Sequence, residues 1–460
     1  MTDALALEVA ESRKPSLLSG KTELSALLNW LAGWVMMPLL PFLPVTLMGG
    51  PPRFFDIAVT GLVGLFARRF PFWVQLPVFA ITMTYLVLSF IGRMFNMHIS
   101  LVMEVAPLVL DLNPANSKEY IVGAVMLLLT CGAAVWLLRQ GNNFKTSASA
   151  LVAVLTVITL TAGDFVISRE ARGAYSRLAP ADAPFDSASS QTNLLALADG
   201  KTNIMVVVVE AMGQPRDAAL QARFNKIWQR PELAAKYEIS HGDTQFYGST
   251  TSGEMRELCE RWGDYGELKT PQPNCLPAIL AKRGYRTSSY HAYHSAFFER
   301  ERWYPLIGIQ NMTFYDEMMA RGLHYCPSVF SGPCDSDVPS LIARDFAKNK
   351  GPQFAYWLTL NSHLPIVEND ALKTKHCHSL GAKLDADFPM ICRLFSIWDN
   401  TANSLAKVVS KPDFPPTDIL IVGDHMPPFT HQASRLEFDN QKVPWILLKY
   451  KGADKADTPR

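Results

Sequence analysis

The sequence is poor in charge. Its 460 residues carry 43 Lys and Arg against 42 Asp and Glu, a formal net charge of +1, and charged residues make up only 18% of the chain. With no basic excess to neutralise phosphates, a generic nucleic-acid binder is excluded. A hydrophobic content of 48% excludes a disordered chain in turn. Cysteine is scarce, seven residues in all, and no two form a CxxC pair, which argues against a cysteine zinc site. Long apolar runs are lacking after about residue 170. The mean hydropathy of +0.07 is therefore an average over two unlike halves.

The first half is apolar, with runs at 27–48, 54–70, 72–91, 120–138 and 149–167. A membrane-crossing helix needs roughly 17–25 mostly apolar residues. Four runs meet this comfortably, and 54–70 is the short one. Five such runs, nearly free of charge, would find too little protein to bury them as core helices. The expectation is a multi-span α-helical membrane anchor of about five helices over residues 1–168. The polar first twenty residues, with no small-residue cleavage site after the first run, read as a retained anchor. With the N-terminus inside, the cytoplasmic segments would hold Arg13, Lys14, Lys21, Arg68, Arg69, Arg139 and Lys145, and the outer ones Arg53, Arg93 and Lys118. That asymmetry orients the chain with everything after Ile167 on the outer face. The stretch 98–112, with its proline, glutamate and aspartate, reads as an interfacial segment.

Cys131 lies within a span. The other six, Cys259, Cys275, Cys326, Cys334, Cys377 and Cys392, all lie in the C-terminal half. An even number there reads as a disulfide framework in an oxidising compartment. Of the fifteen connectivities, the spacing favours three local loops, 259–275, 326–334 and 377–392.

Residues 169–200, rich in Ala, Ser, Asp and Pro, read as a linker at the membrane surface, and 201–460 as an α/β domain. The run NIMVVVV at 203–209 fits a strand buried on both faces, as in a parallel sheet. Similar runs occur at 354–360, 418–422 and 444–448, with helical stretches at 276–283 and 396–409 between them. In open α/β sheets chemistry collects beyond the C-terminal ends of strands. There stand Glu210, the Asn361-Ser362-His363 triplet, and Asp424-His425. Singly each reads as a helix cap or a packed histidine. Together they suit a divalent cation such as zinc or manganese, with magnesium also compatible. The turn Gly248-Ser249-Thr250-Thr251-Ser252-Gly253-Glu254, leading into a helix, supplies hydroxyls and free N–H groups to an anion. A hydroxyl beside a divalent cation ionises more readily and can attack without a histidine base. The same turn also reads as a plain Ser/Thr helix cap.

This order (strand–Glu, Thr turn, His/Arg segment, NSHLP, then GDH) resembles the alkaline phosphatase superfamily. More narrowly it resembles the membrane-anchored phosphoethanolamine transferases and lipoteichoic acid synthases, which share a sulfatase-like fold. The motifs cover 201–448, and the apolar anchor matches in architecture. The resemblance implies Glu210, Asp424 and His425 as metal ligands, joined by Thr251 as the nucleophile that becomes phosphorylated, with Thr250 as the fallback. It implies that His291, Arg300 and His363 contact substrate, and, more weakly, His431. The Trp398-Asp399-Asn400-Thr401 stretch and the cysteine-flanked loop 326–334 look more like the phosphoethanolamine transferases. The sequence departs from the lipid A enzymes in reading GDHMPPF where GDHGES is common. The implied activity is transfer of a phospho-headgroup from phosphatidylethanolamine or, as the lesser expectation, phosphatidylglycerol to a glycolipid or glycan. It would take place on the periplasmic face of a bacterial inner membrane. The rival readings are a hydrolase of the same fold and a non-catalytic protein that kept it. A sulfatase would carry Cys or Ser followed by x-Pro-x-Arg; Cys275-Leu-Pro277 begins that pattern and lacks the Arg. A non-catalytic protein would be expected to lose part of the ligand set, and every element is present.

Overall fold

The structure is a computed structural model describing residues 17–47, 50–94, 99–104, 118–171, 179–375, 377, 381–429 and 431–452. Most of the expected interfacial stretch 98–112 lies outside the described residues, as do Arg13, Lys14 and residues 172–178 of the expected linker. The chain divides into two compact units. One comprises Met1–Pro44, Pro52–Val87 and Gly123–Glu170, the other Val45–Pro51, Leu88–Val122 and Ala171–Arg460.

Among the described residues of the first region, four helices are long and apolar enough to cross a membrane: Thr22–Thr46, Phe72–Arg93, Ile121–Arg139 and Ser147–Ile167. The fifth expected span forms a helix over Phe54–Ala67 only. At about 1.5 Å per residue it is roughly 21 Å long, short of the ~30 Å hydrocarbon core. Charged ends set its length. Arg53 at its start pairs with Asp56 at 3.1 Å, and its backbone N–H donates to Asp164 Oδ2 at 2.7 Å. Arg68 at its end lies 4.0 Å over the Phe144 ring. Between them, Gly61 and Gly64 let neighbouring side chains approach the backbone. A Cβ at these positions would stand 2.4 Å from Val157 and 2.6 Å from Trp34, the close small-residue packing typical of helices in lipid.

Among the described residues, the second unit is built on nine strands: β1 Asn203–Val209, β2 Tyr237–Gln245, β3 Arg286–His291, β4 Asn311–Thr313, β5 Tyr325–Cys326, β6 Gly332–Pro333, β7 Gln353–Leu358, β8 Thr417–Gly423 and β9 Lys442–Tyr450. Seven form one sheet in the order β2-β9-β8-β1-β7-β3-β4, and β5–β6 are a small hairpin. Strands β8, β1, β7, β3 and β4 run parallel; β9 is antiparallel to both β8 and β2. The run at 444–448, read as one of a parallel set, is thus the antiparallel exception. Strands β2 and β3 are invisible to an apolar-run search because they are polar, YEISHGDTQ at the sheet edge and RTSSYH inside.

Five helices cover the sheet and position the site: α1 Ala218–Trp228, α2 Thr250–Cys259, α3 Leu276–Lys282, α4 Val338–Lys348 and α5 Pro389–Val409. Strand β1 shows why the sheet is covered on both sides. Its odd residues Met205, Val207 and Val209 join Phe224 of α1, Leu341 of α4 and Leu394 of α5 in one core. Its even residues Ile204, Val206 and Val208 join Met255 and Leu258 of α2 and Leu280 of α3 in the other. Fully burying each such aliphatic side chain contributes about 1.5–3 kcal/mol, so continuous β-branched sequence and a three-layer α/β/α sandwich imply one another. Disulfides join Cys259–Cys275, Cys326–Cys334 and Cys377–Cys392, the three local loops that the spacing favours. The first ties the end of α2 to the start of α3.

Candidate active site

Parallel register brings the strand ends together. Val209 pairs with Gly423 across β1 and β8, so Glu210 and Asp424 each follow the last paired residue on adjacent strands. Ala211 then turns with a positive φ of 55°, and its N–H donates to Asp424 Oδ1 at 2.8 Å. The His425 N–H donates to the same oxygen at 2.7 Å. Asp424 is thereby fixed with Oδ2 left over. Glu210 is fixed through its backbone, accepting from Ser362 Oγ at its carbonyl (2.6 Å) and donating to Thr359 Oγ1 (2.9 Å).

Three side chains converge at this edge. His425 Nε2 lies 3.3 Å from Asp424 Oδ2 and 3.5 Å from Glu210 Oε1, and the donor atoms of all three lie within 4.8 Å of one another. Among the described residues, Glu210 Oε1 and Asp424 Oδ2 are buried with no hydrogen-bond partner. Burial and the neighbouring Asp424 charge hold the Glu210 carboxyl well above its usual range. His425 donates Nδ1–H to the Met426 carbonyl at 2.9 Å; a carbonyl only accepts, so the Nε2 lone pair faces the carboxylates. Two orphaned carboxylate oxygens and an imidazole lone pair on one point are the donor chemistry of a divalent cation site.

Helix α2 delivers the hydroxyl. Gly248 takes φ +73°, and a Cβ there would meet Ser252 Oγ at 2.3 Å, so the turn into the helix requires glycine. Gly253 packs directly on the end of β8, where a Cβ would lie 3.0 Å from Asp424 Cβ. One turn further on, buried Arg256 donates to the Gly423 and Asp424 carbonyls at 2.6 and 3.1 Å and to Glu257 at 2.6 Å. Positions 250, 253 and 256 share one helix face by i, i+3 spacing, and that face abuts Asp424. Accordingly Thr250 Oγ1 donates to Glu210 Oε2 at 3.1 Å and lies 3.3 Å from His425 Nε2.

The structure places Thr251, the expected nucleophile, on a different side of the helix from Thr250. Consecutive helical residues point about 100° apart, so the two threonines cannot both face the cluster. Thr251 Oγ1 instead donates to Asp264 Oδ2 at 3.2 Å, a carboxyl that burial raises to about 6. Thr251 thus stands apart from the Glu210–Asp424–His425 cluster in this geometry.

The site opens into a cleft lined by Thr250, Glu210 and Ser249, by His291, Arg300 and His363, and by aromatic walls that include Tyr293, Phe297, Phe298 and Phe330. His291 ends β3 and donates Nδ1–H to the Leu358 carbonyl at 3.1 Å; burial, then the Arg300 charge, push it well below its usual value. His363 does likewise to the Leu364 carbonyl at 2.8 Å, and burial lowers it to about 4. Both imidazoles are therefore neutral at pH 7 and turn acceptor nitrogens away from the backbone. The FERERW segment is split by the fold. Arg302 is exposed while Arg300 is buried, its guanidinium paired with Glu254 at 2.9 Å. Glu254 also accepts from Tyr304 OH (2.5 Å) and Tyr356 OH (2.9 Å).

His431 also lies away from the pocket. It is exposed, shares a hydrogen bond with Ser434 Oγ at 3.0 Å, and belongs neither to the pocket lining nor to the carboxylate cluster. It stands at the N-cap position of the short helix Gln432–Leu436. The structure adds Arg256 and Asp335, which no motif marked, and gives places to Ser249 and Glu254 of the hydroxyl-rich turn. Asp335 accepts from the Leu360 and Asn361 N–H groups at 2.9 and 2.6 Å and so shapes the loop carrying His363. A signal existed for Arg256, which recurs at helical spacing from Thr250; nothing local marked Asp335.

The Sulfatase family pattern matches residues 237–444. No curated protein matches the sequence. Among solved structures the chain is similar to the lipoteichoic acid synthase LtaP from Listeria monocytogenes, with 14% identity over 57% of this chain and 72% of that one and a TM-score of 0.42. It is similar to the C-terminal periplasmic domain of EcEptC from Escherichia coli, at 10% identity over 57% and 77% with a TM-score of 0.38. It is also similar to the integral membrane lipooligosaccharide phosphoethanolamine transferase EptA from Neisseria meningitidis, at 15% identity over 73% and 62% with a TM-score of 0.36. Behind its apolar N-terminal helices, the chain is similar to the Sulfatase family over residues 237–444.

Proposed function

We propose that the protein is a metal-dependent phospho-headgroup transferase that works through a covalent phosphothreonine at Thr250. The observation that carries this is the position of Thr250 Oγ1, within 3.1–3.3 Å of both Glu210 and His425 at the mouth of a pocket. Glu210, Asp424 and His425 would hold a divalent cation, zinc or manganese in first place and magnesium in second. When bound it would supply Lewis-acid stabilisation to charge growing at the phosphate.

In the first half-reaction Thr250 Oγ1 forms a bond to the donor's phosphorus, and the bond from phosphorus to the diacylglycerol oxygen breaks. The threonine proton passes to the Glu210 carboxylate it already faces, and the departing alcohol takes a proton from water. In the second, a hydroxyl or phosphate oxygen of a glycolipid or glycan forms a bond to the same phosphorus, and the bond from phosphorus to Thr250 Oγ1 breaks. A hydroxyl acceptor's proton goes to the hydroxide left by the first half-reaction, and Thr250 takes its proton back from Glu210. A lipid donor fits a chain that carries four apolar helices with outward-facing Trp73, Ile81, Leu128 and Trp136. Phosphoethanolamine fits the pocket better than phosphoglycerol. Its ammonium can donate to the neutral His291 and His363 nitrogens and lie against the aromatic walls. Three disulfides in the second unit support catalysis on the periplasmic face of an inner membrane.

The test is a purified, metal-loaded protein offered phosphatidylethanolamine or phosphatidylglycerol vesicles, followed by intact mass and peptide mapping. An adduct on Thr250 is expected, and its mass names the headgroup. No adduct from either lipid, or an adduct that persists in Thr250→Ala, overturns the proposal. Release of the adduct by water as fast as by any acceptor would make the protein a hydrolase instead.

A further inference from the structure

We propose that Ser249 is a phosphate-binding residue: its hydroxyl and the opening N–H groups of α2 together hold a non-bridging phosphoryl oxygen of the donor while Thr250 attacks. This rests on Thr250 as the proposed nucleophile. Ser249 occupies the N-cap of a ten-residue helix with extended backbone (φ −102°, ψ −168°) and makes no side-chain cap bond. Serine at this position normally spends its oxygen on the N2 or N3 amide. Here the oxygen is withheld from that role, yet the side chain is only 5% exposed, and Oγ has no partner among the described residues. A buried hydroxyl left without a partner is unfavourable, and Ser249 lines the pocket directly beside Thr250.

The backbone around it leads to the same ligand. The first intrahelical bond of α2 runs from Gly253 N–H to the Ser249 carbonyl at 3.0 Å, so the amides of residues 250–252 precede the ladder. Helix starts of this kind favour anions.

The pocket is otherwise short of donors for a phosphate. Among the described residues, Arg300 is the one permanently cationic side chain in its lining, and its guanidinium already serves Glu254 and the Phe297 carbonyl. His291 and His363 are neutral, with their N–H groups committed to backbone carbonyls. A phosphate entering beside Thr250 therefore meets the Ser249 hydroxyl and the α2 amides as its nearest uncommitted donors. The same geometry would serve a free phosphate ion and a lipid phosphodiester, and the test separates the two.

Full-length protein loaded with zinc is compared as wild type, Ser249→Ala and Ser249→Thr. Single-turnover formation of the Thr250 adduct from phosphatidylethanolamine vesicles is followed by mass, and inorganic phosphate binding by calorimetry. Loss of one such donor typically slows the chemical step on the order of 10²-fold. Ser249→Ala is expected to slow adduct formation by about that factor and to weaken phosphate binding about tenfold, with zinc affinity and melting midpoint unchanged. Ser249→Thr keeps the hydroxyl and is expected to recover most of the rate. Adduct formation in Ser249→Ala at the wild-type rate overturns the inference, as does a lowered melting midpoint with unchanged rate, which would make Ser249 a plain cap. If wild type forms no adduct, the Thr250 reading fails by itself, and equal phosphate affinity in wild type and Ser249→Ala then overturns this inference separately. Loss of the rate effect alone, with phosphate binding still weakened, would assign the site to free phosphate and overturn the lipid-phosphate form.

Discussion

Glu254 accepts hydrogen bonds from Arg300, Tyr304 and Tyr356, whereas Glu210 keeps Oε1 without a donor, close to an Asp424 Oδ2 that has none either. Both glutamates are buried in the same unit, Glu254 behind the pocket lining, paired with the lining residue Arg300, and Glu210 in the lining itself. The first is neutralised inside the protein: one guanidinium and two phenols complete its shell, and it serves to hold Arg300 in place. The second is left incomplete by the fold. Two carboxylates packed side by side raise each other's affinity for positive charge, so what completes this cluster must come from outside. A satisfied buried charge belongs to the scaffold, and an unsatisfied pair belongs to a ligand.

The comparison breaks first at the threonines. Thr250→Ala is expected to reduce adduct formation by about 10³-fold or more, as loss of a covalent nucleophile does. Thr251→Ala should remain within roughly tenfold, since that hydroxyl serves only Asp264. Intact-mass kinetics on both variants decide it, and equal effects would erase the distinction between them. Next comes the scaffold glutamate. Glu254→Ala strands the Arg300 charge and is expected to destabilise the domain by about 3–5 kcal/mol, read by chemical denaturation. The double variant Glu254→Leu/Arg300→Met should recover much of that stability while losing activity.

Metal withdrawal addresses the other glutamate. Adding zinc at about one hundred times its Kd to the stripped protein should stabilise the fold by about 2.7 kcal/mol, seen as a raised melting midpoint. Glu210→Gln should abolish that gain, while the Glu254 variants keep it. A smaller effect is expected at Arg256, which holds the backbone carbonyls of Gly423 and Asp424 rather than the cluster's carboxylate oxygens. Arg256→Ala should weaken zinc binding about 10–100-fold, the usual range for a residue that orients a ligand, and Arg256→Lys should restore part of it.

The smallest effect concerns Asp335. Burial raises its carboxyl from 3.8 to about 7, so the folded state keeps this proton while the unfolded chain loses it. Its contribution to stability is full below the unfolded value and falls as pH rises across 4–7. Asp335→Asn should flatten that part of a melting-midpoint profile by a few degrees, and an unchanged slope would refute the sign.

The carboxylate–histidine cluster could be read in the sequence because a strand buried on both faces announces itself, and the residue after such a strand lies at the sheet edge by topology alone. Glu210 follows NIMVVVV, and Asp424-His425 follow ILIVG. The three local disulfides followed from spacing for a similar reason, short loops leaving few geometries open. Polar strands such as RTSSYH carried no such signal, so His291 could be placed only by resemblance. The apolar run at 54–70 overstated its helix because composition does not reveal that Arg53 and Arg68 pin both ends.

What sequence alone determined, then, is which residue types gather at the edge of β1 and β8. Local periodicity and alternation set strand faces, and parallel pairing does the rest. Which of two adjacent threonines meets that edge was decided only by tertiary structure. Both carry the same hydroxyl in the same turn, and the difference is the rotational phase of α2. That phase is fixed by contacts distant in sequence: Gly253 against Asp424, and Arg256 on the carbonyls of Gly423 and Asp424. The same packing turns Thr250 toward the carboxylates and leaves the Ser249 hydroxyl facing the pocket without a partner.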